Sequence, residues 1–297
     1  MLETQGKLWY NKRKCIVLEK EKEDSMGISG WPRVWMALSL LAVILAGVLL
    51  AEDRLTGAES VEDIEHGPKV TVLNYHKIDR QFSSLSVRPE DFEAQMAFLE
   101  ENGYHSITPD DLYRALTERA DLPPNPVLIT FDDGYEDNYT AAYPILKRHG
   151  MKATIFVVAG FPGTHPGYLT WDQMREMEQN GISIQSHTMN HRALEELDDD
   201  QIRAELADSK QRLEEKLGHP IQYLAYPTGT YNLHIAGLAK EAGYDAAFTV
   251  KYGNVDLGSN VYALERMPVF HTENTMKSFY ERLDYRPLME KFGWTKH

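Results

Sequence analysis

From Lys69 onward, short β-branched runs alternate with amphipathic stretches, and few folds accommodate that rhythm. VTVLNYH (70–76), VLITFDDG (127–134), ATIFVVAG (153–160), ISIQSHT (182–188), IQYLAYP (221–227), AAFTV (246–250) and ALERMPV (263–269) read as strands. Between them DFEAQMAFLEENG (91–103), YTAAYPILKRHG (139–150), TWDQMREMEQNG (170–181), DDDQIRAELADSKQRLEEKLG (198–218) and LHIAGLAKEAG (233–243) read as helices, each stopped by a glycine. In the 198–218 helix, Ile202, Leu206, Leu213 and Leu217 share one face. A last helix is expected over about 274–284. Such alternation implies right-handed crossovers and a parallel sheet, hence an α/β fold. About seven or eight strands fit a closed (β/α) barrel better than an open sheet. In a parallel barrel the functional residues gather where the strands end.

The chemically suggestive residues fall at those ends. Asp132 and Asp133 close the LITF strand, His187 and His191 follow ISIQS in SHTMNH, Tyr226-Pro227-Thr228-Gly229 follows IQYLA, and His76 follows VTVLNY. The His187–His191 spacing, placed on a helical turn, puts both imidazoles on one side, where they can grip one cation. Asp133 as third ligand gives a two-His-one-carboxylate set with open positions, the pattern of a catalytic rather than a structural site. Asp132 is then left as base toward water that the cation activates, with a water pKa lowered to roughly 7. Each piece alone has an ordinary reading: a solvated acidic turn, a chance surface pair, a core histidine. Their order and shared position carry the weight. Tyr135, Trp171, Tyr226 and Tyr231 are candidates to stack on a ligand ring, and Trp171 and Tyr135 read equally well as core. Tyr135 and Asn138, just after FDDG, are placed to flank the pocket.

TFDDG, SHTMNH about 50 residues later and YPTGTY together resemble the motifs of the polysaccharide deacetylases, the NodB-homology carbohydrate esterases. The resemblance covers roughly residues 69–285. It implies a deformed (β/α)7-8 barrel and metal-dependent removal of acetyl groups from sugars. It implies Asp132 as base and Asp133, His187 and His191 as ligands of a divalent metal, zinc first, with cobalt, nickel or manganese as alternatives. The turn Tyr226, Pro227, Thr228, Gly229 would line the substrate groove with Tyr135 and Arg266, a backbone N–H near Thr228 helping to hold the oxyanion. Many members carry an Arg two residues before the motif Pro, where it steadies the base; here that position is Ala225. Arg266 is the candidate replacement, with a surface ion pair to Glu265 as the alternative. NYHKID resembles the subgroup acting on poly-β-1,6-N-acetylglucosamine, which makes His76 the preferred general acid. His271, in VFHTEN, is the second candidate.

Charge narrows the partners. Residues 52–297 hold 24 basic and 40 acidic side chains, a net of −16, a surface that repels nucleic acid and tolerates a neutral or cationic polymer. The single Cys is Cys15, so no disulfide forms within the chain. Val34 to Ala51 runs eighteen residues without a charge, near the length that crosses a bilayer, with basic residues before it and Glu52 and Asp53 after it. The expected organisation is a cytoplasmic segment 1–33, a transmembrane helix or signal anchor 34–51, a linker 52–68 and an extracytoplasmic deacetylase domain 69–297. Thr56-Gly57-Ala58 is a weak cleavage site, so an uncleaved anchor is expected, and Met26 is an alternative start. Membrane attachment is expected through that helix; nothing in the sequence speaks to oligomers. The substrate expected is an N-acetylglucosamine polymer, exopolysaccharide or peptidoglycan. The rivals are a non-haem iron oxygenase, an O-acetyl esterase and a tethered glycan-binding domain on an inactive deacetylase fold.

Overall fold

The computed structural model describes residues 69–81, 83–270, 275–280 and 283. The expected cytoplasmic segment 1–33, membrane helix 34–51 and linker 52–68 lie outside the described residues, as does His271. Among the described residues no helix is long and apolar enough to cross a membrane.

The strand-like runs form a closed parallel barrel. Its strands are β1 (Thr71–Tyr75), β5 (Pro126–Asp133), β6 (Ala153–Val157), β7 (Ile182–Ser186), β8 (Tyr223–Ala225), β9 (Ala246–Tyr252) and β10 (Leu264–Pro268). They pair in the order β1-β10-β9-β8-β7-β6-β5, and β5 pairs back onto β1 from Thr71↔Val127 to Tyr75↔Phe131. The barrel is therefore seven-stranded. Three short strands complete the set: β2 (Lys77–Ile78) and β3 (Ser86–Val87) pair with each other, and β4 (His105–Ser106) pairs with Pro126 and Val127 at the start of β5.

Seven helices follow the strands. They are α1 (Pro89–Glu101), α2 (Pro109–Glu118), α3 (Tyr143–Arg148), α4 (Trp171–Glu178), α5 (Asp199–Leu217), α6 (Leu233–Glu241) and α7 (Thr275–Tyr280) among the described residues. Helix α2 is absent from the strand–helix reading of the sequence, although Thr108 and Asp111 form its capping box. The expected 139–150 helix is split. Pro144 has no N–H to give Thr140, and the chain enters α3 through a π-helical turn, Asn138–Ala142, in which Tyr143 N–H reaches back to Asn138 C=O.

Alternation along each strand sorts side chains between two environments. Leu73, Tyr75, Val127, Ile129, Phe131, Ile155 and Ile184 join one cluster with helical residues such as Phe92, Met96, Leu146 and Met174, so these positions face outward under the helices. Val72, Leu128, Phe156, Tyr223, Ala225, Phe248 and Leu264 form another, the barrel interior, closed at the strand starts by Ile107 and Leu112. By the same parity Asn74, Thr130, Asp132 and Arg266 point inward above that apolar plug. Phe156 is fully buried, with its ring 5.3 Å from Phe248 and 5.7 Å from the Arg266 guanidinium carbon. Phe156→Ala should cost about 3–5 kcal/mol, read as a lower urea midpoint at unchanged slope.

Candidate active site

The two adjacent carboxylates of β5 have different environments because their side chains leave the strand on opposite sides. Asp132 points into the barrel and is 1% exposed. Its Oδ2 accepts from Arg266 Nη2 at 2.7 Å and from Asn74 Nδ2 at 2.9 Å, and its Oδ1 accepts from Arg266 Nη1 at 2.8 Å. Burial alone would raise the Asp132 carboxyl, but the charge of Arg266 and its hydrogen bonds, with His187 and His76 nearby, hold it well below the usual carboxylate range. Arg266 is itself fully buried and is further fixed by Nε donating to Thr249 C=O at 2.7 Å. It therefore stands behind Asp132 and does not line the groove. The surface pair with Glu265 is not formed; Glu265 pairs with Lys251 at 2.6 Å.

Asp133 ends the strand with φ of 74°, in the left-handed region, which swings its carboxylate toward the next strand ends. Its Oδ1 lies 3.5 Å from His187 Nε2 and 3.2 Å from His191 Nε2. His187 is buried, and its Nδ1 lies 2.8 Å from Ala225 C=O. A carbonyl only accepts, so Nδ1 carries the hydrogen and Nε2 keeps its lone pair toward Asp133 and His191. Burial pushes the His187 imidazole pKa down, which favours the neutral ligand form. The three donor atoms lie within 4.8 Å of one another. Two ligands roughly 2.0–2.1 Å from a tetrahedral cation would sit about 3.3 Å apart, so the observed separations fit a divalent metal.

The segment carrying the two histidines is not a helical turn. Residues 187–193 form an irregular loop, with Thr188 at φ 62° and His191 at φ 58°. Left-handed non-glycine residues bend the chain enough to bring the two rings to 4.9 Å. The expectation of a shared helix face is replaced by strained loop geometry, of the kind that concentrates at functional sites. Asp133, Thr188, His191 and Thr228 (φ 60°) all lie on this rim.

The remaining expected residues divide. His76, just past β1, is near enough to act electrostatically on Asp132, and its buried Nδ1 has no hydrogen-bond partner. Thr228 is exposed on the rim, while Pro227 and Gly229 are buried. Gly229 has φ 74°, and a Cβ there would fall 2.1 Å from Val250, so only glycine fits this turn. Tyr226 does not line a groove with its ring. It is fully buried in the α5–α6 core, stacks on Tyr231 at 5.4 Å and donates its hydroxyl to Tyr262 C=O at 3.0 Å. Tyr135 is half-buried at the rim, stacked on Tyr168 at 5.0 Å with Lys77 above it at 4.5 Å. Burial first, then the charge of Asp133, pushes its hydroxyl pKa up. Trp171 packs against both helical core clusters, beneath Arg212.

Comparison with known proteins agrees with this geometry. Residues 119–247 match the family model for polysaccharide deacetylase. YxkH of Bacillus subtilis (strain 168), whose name places it in that family, is 42% identical over 205 residues, covering 69% of this chain and 73% of YxkH. The chain belongs to the polysaccharide deacetylase family. It is thus a hydrolase of that family. The deacetylase PplD of Streptococcus pyogenes, solved with acetate, superposes with a TM-score of 0.67 at 32% identity, over 71% of this chain and 98% of that one. The poly-β-1,6-N-acetyl-D-glucosamine N-deacetylase of Staphylococcus aureus (strain MSSA476) is 25% identical over 264 residues, covering 77% of this chain and 91% of that protein.

Within this deacetylase, two contributors were missed by reading the sequence, Asn74 and Asp137. Asn74 is a polar residue in an otherwise apolar strand, which was the available signal. Asp137 and Asn138 tie down the segment that carries His76: Asp137 Oδ1 accepts from Ile78 N–H at 2.8 Å, and Asn138 Nδ2 donates to His76 C=O at 2.8 Å. Asn138, expected at the pocket wall, is instead 1% exposed. Burial, helped by the charge of Asp79 and opposed by the Ile78 hydrogen bond, pushes Asp137 up to about 6. Its folded pKa exceeds the ordinary value near 3.9, so the folded state binds the extra proton between about pH 4 and 6, and stability falls as pH rises through that window. Asp137→Asn should flatten that part of the stability–pH curve, measured by urea unfolding at pH 4, 5, 6 and 7.

Proposed function

We propose that this deacetylase removes N-acetyl groups from an N-acetylglucosamine polymer of the cell surface, with a divalent metal held by Asp133, His187 and His191. The observation that carries this reading is the pairing of a buried, anionic Asp132 with an adjacent three-donor site on the same rim. Zinc suits two imidazoles and one carboxylate best, with cobalt, nickel or manganese as substitutes. A cation there supplies Lewis-acid polarisation of the acetyl carbonyl and lowers the pKa of nearby water.

The chain's own residues supply the proton transfers. Both in-plane positions of Asp132 Oδ2 are taken by Arg266 and Asn74, whereas Oδ1 has one donor and one free lone pair. Oδ1 is therefore the atom that accepts the proton as water adds to the carbonyl carbon. Arg266 holds this carboxylate in place and charged before the reaction begins. The turn at Thr228 borders the rim, where its backbone N–H serves the developing oxyanion. His76 then gives a proton to the sugar nitrogen; the C–N bond breaks, and acetate and a free amine leave. The amine carries a positive charge that the acidic domain attracts.

The polymer is assigned to the poly-N-acetylglucosamine class through the NYHKID segment and through similarity to the staphylococcal enzyme. Localisation follows from sequence: Val34–Ala51 anchors the chain in the cell membrane as a single span with the deacetylase domain extracytoplasmic, because the basic flank precedes it.

The test is acetate release by metal-loaded protein from β-1,6-linked, β-1,4-linked and peptidoglycan-derived N-acetylglucosamine chains. Release from the β-1,6-linked chains is expected, with a fall of about 10²–10⁴-fold in kcat for Asp132→Asn and for His76→Ala. Stripping metal with a chelator should abolish release, and added zinc should restore it. Release only from O-acetylated chains would replace this reading with an esterase, and metal binding without any release would leave a glycan-binding domain.

A further inference from the structure

Helix α5 carries one acidic residue that the chemistry above does not use. Glu205 lies among Ile202, Leu206, Ser209 and Leu213 on the buried face of α5 and is 4% exposed. Its carboxylate is held by the loop between the two histidine ligands. Oε2 accepts from Met189 N–H at 3.0 Å and from Asn190 N–H at 2.8 Å, and Oε1 accepts from Asn190 Nδ2 at 2.9 Å.

The same loop is held from its other side. Ala159 N–H donates to Thr188 C=O at 3.0 Å and Gly160 N–H donates to Met189 C=O at 2.9 Å, extending the β6–β7 ladder past the strand ends. Thr188–Asn190 is thus bracketed, with the Thr188 and Met189 carbonyls facing the end of β6 and the Met189 and Asn190 N–H groups facing α5. Gly160 lets the backbone come this close: a Cβ there would fall 2.6 Å from Met189 C=O. Between these supports the chain passes through two left-handed residues, Thr188 and His191. Such strain persists only where the surroundings over-determine it. An α5 residue facing apolar neighbours would ordinarily be apolar, because a buried carboxylate is costly unless its oxygens are satisfied. Here the three donors are all loop groups, so the residue type is explained by the loop and not by the core.

We propose that Glu205 is a positioning residue for the metal centre, setting the affinity for the metal by holding the 188–190 backbone in the one conformation that brings His191 to His187 and Asp133. The inference rests on reading those three residues as metal ligands. Glu205 touches none of them; it acts through Met189 and Asn190, and Gly160 completes the grip from the opposite side.

The measurement is direct binding of Co²⁺ to the metal-stripped full-length protein, followed by its visible absorption, with melting temperature recorded for every variant. Wild type is expected to bind one ion, and His187→Ala to lose it. If His187→Ala binds like wild type, the ligand assignment fails, whatever Glu205 does. With that assignment standing, Glu205→Ala should raise the Co²⁺ Kd tenfold or more, in the range seen when outer partners of ligands are removed. Glu205→Gln keeps an oxygen to accept from Met189 and Asn190 and should stay within about threefold of wild type, since hydrogen bonding, not charge, is the requirement. Gly160→Ala presses on the loop from the β6 side and should also raise Kd tenfold or more, independently of whether Glu205→Ala folds. A wild-type Kd in either folded variant, even with a lowered melting temperature, would overturn the proposal and reduce Glu205 to a core residue.

Discussion

The pairing of β1 with β5 is the constraint on which the rest of the site depends. It turns a twisted parallel sheet into a closed barrel in which β1 lies beside β5 and β10 beside β1, so that inward side chains of both strands meet Asp132. Asn74 reaches it from β1 and Arg266 from β10. In an open sheet with the same strands, Asn74 and Arg266 would sit at one edge and Asp132 near the other. Closure also removes the exposed strand edges that an open parallel sheet would leave. The interior below the polar ring is filled with Phe156, Phe248, Leu128 and Leu264, so the carboxylate and guanidinium meet in a medium with little water. Low local polarity strengthens their attraction and makes an unpaired charge there costly.

Two neighbouring aspartates would repel if both faced one space. The pleat sends Asp132 inward, to a cation supplied by the protein. The left-handed turn at Asp133 sends the second carboxylate to a site suited to a cation from solution. The same dipeptide therefore serves two electrostatic tasks, and the difference between them is set by backbone geometry, not by residue type.

Much of this was legible in the sequence, and the failures have physical causes. Alternating patterns identified the barrel strands because each is apolar and short; the two-residue strands β2, β3 and β4 carry no period to detect. Asp132, Asp133, His187, His191 and His76 were singled out because strand ends are where a parallel barrel places chemistry, and the structure brings them to one rim. The local shape of the histidine segment was misread, since spacing by four fits a helix and fits equally a loop bent by left-handed residues. Arg266 was picked out for its charge, but a linear sequence does not reveal that β10 lies beside β1, so its place behind Asp132 was one of two options. Tyr226 was expected in the groove because the family resemblance puts its turn there; its ring is instead buried, with the hydroxyl donating to Tyr262 C=O. Glu205 interrupts an apolar helix stripe, a signal that marks a buried polar contact without saying to what.

The origin of Arg266 on the last barrel strand has a consequence for biogenesis. Asp132 and the three donors Asp133, His187 and His191 are complete once β7 and its loop have emerged, but the counter-charge to Asp132 arrives only with β10, more than seventy residues after His191. Until that strand docks, the inward carboxylate lacks its partner and the barrel lacks its closing seam. A partly synthesised or truncated chain thus holds the three donors but not the charge-paired, oriented Asp132. Tying the Asp132 carboxylate to the final barrel strand makes the finished rim a property of the finished polypeptide, wherever the chain folds.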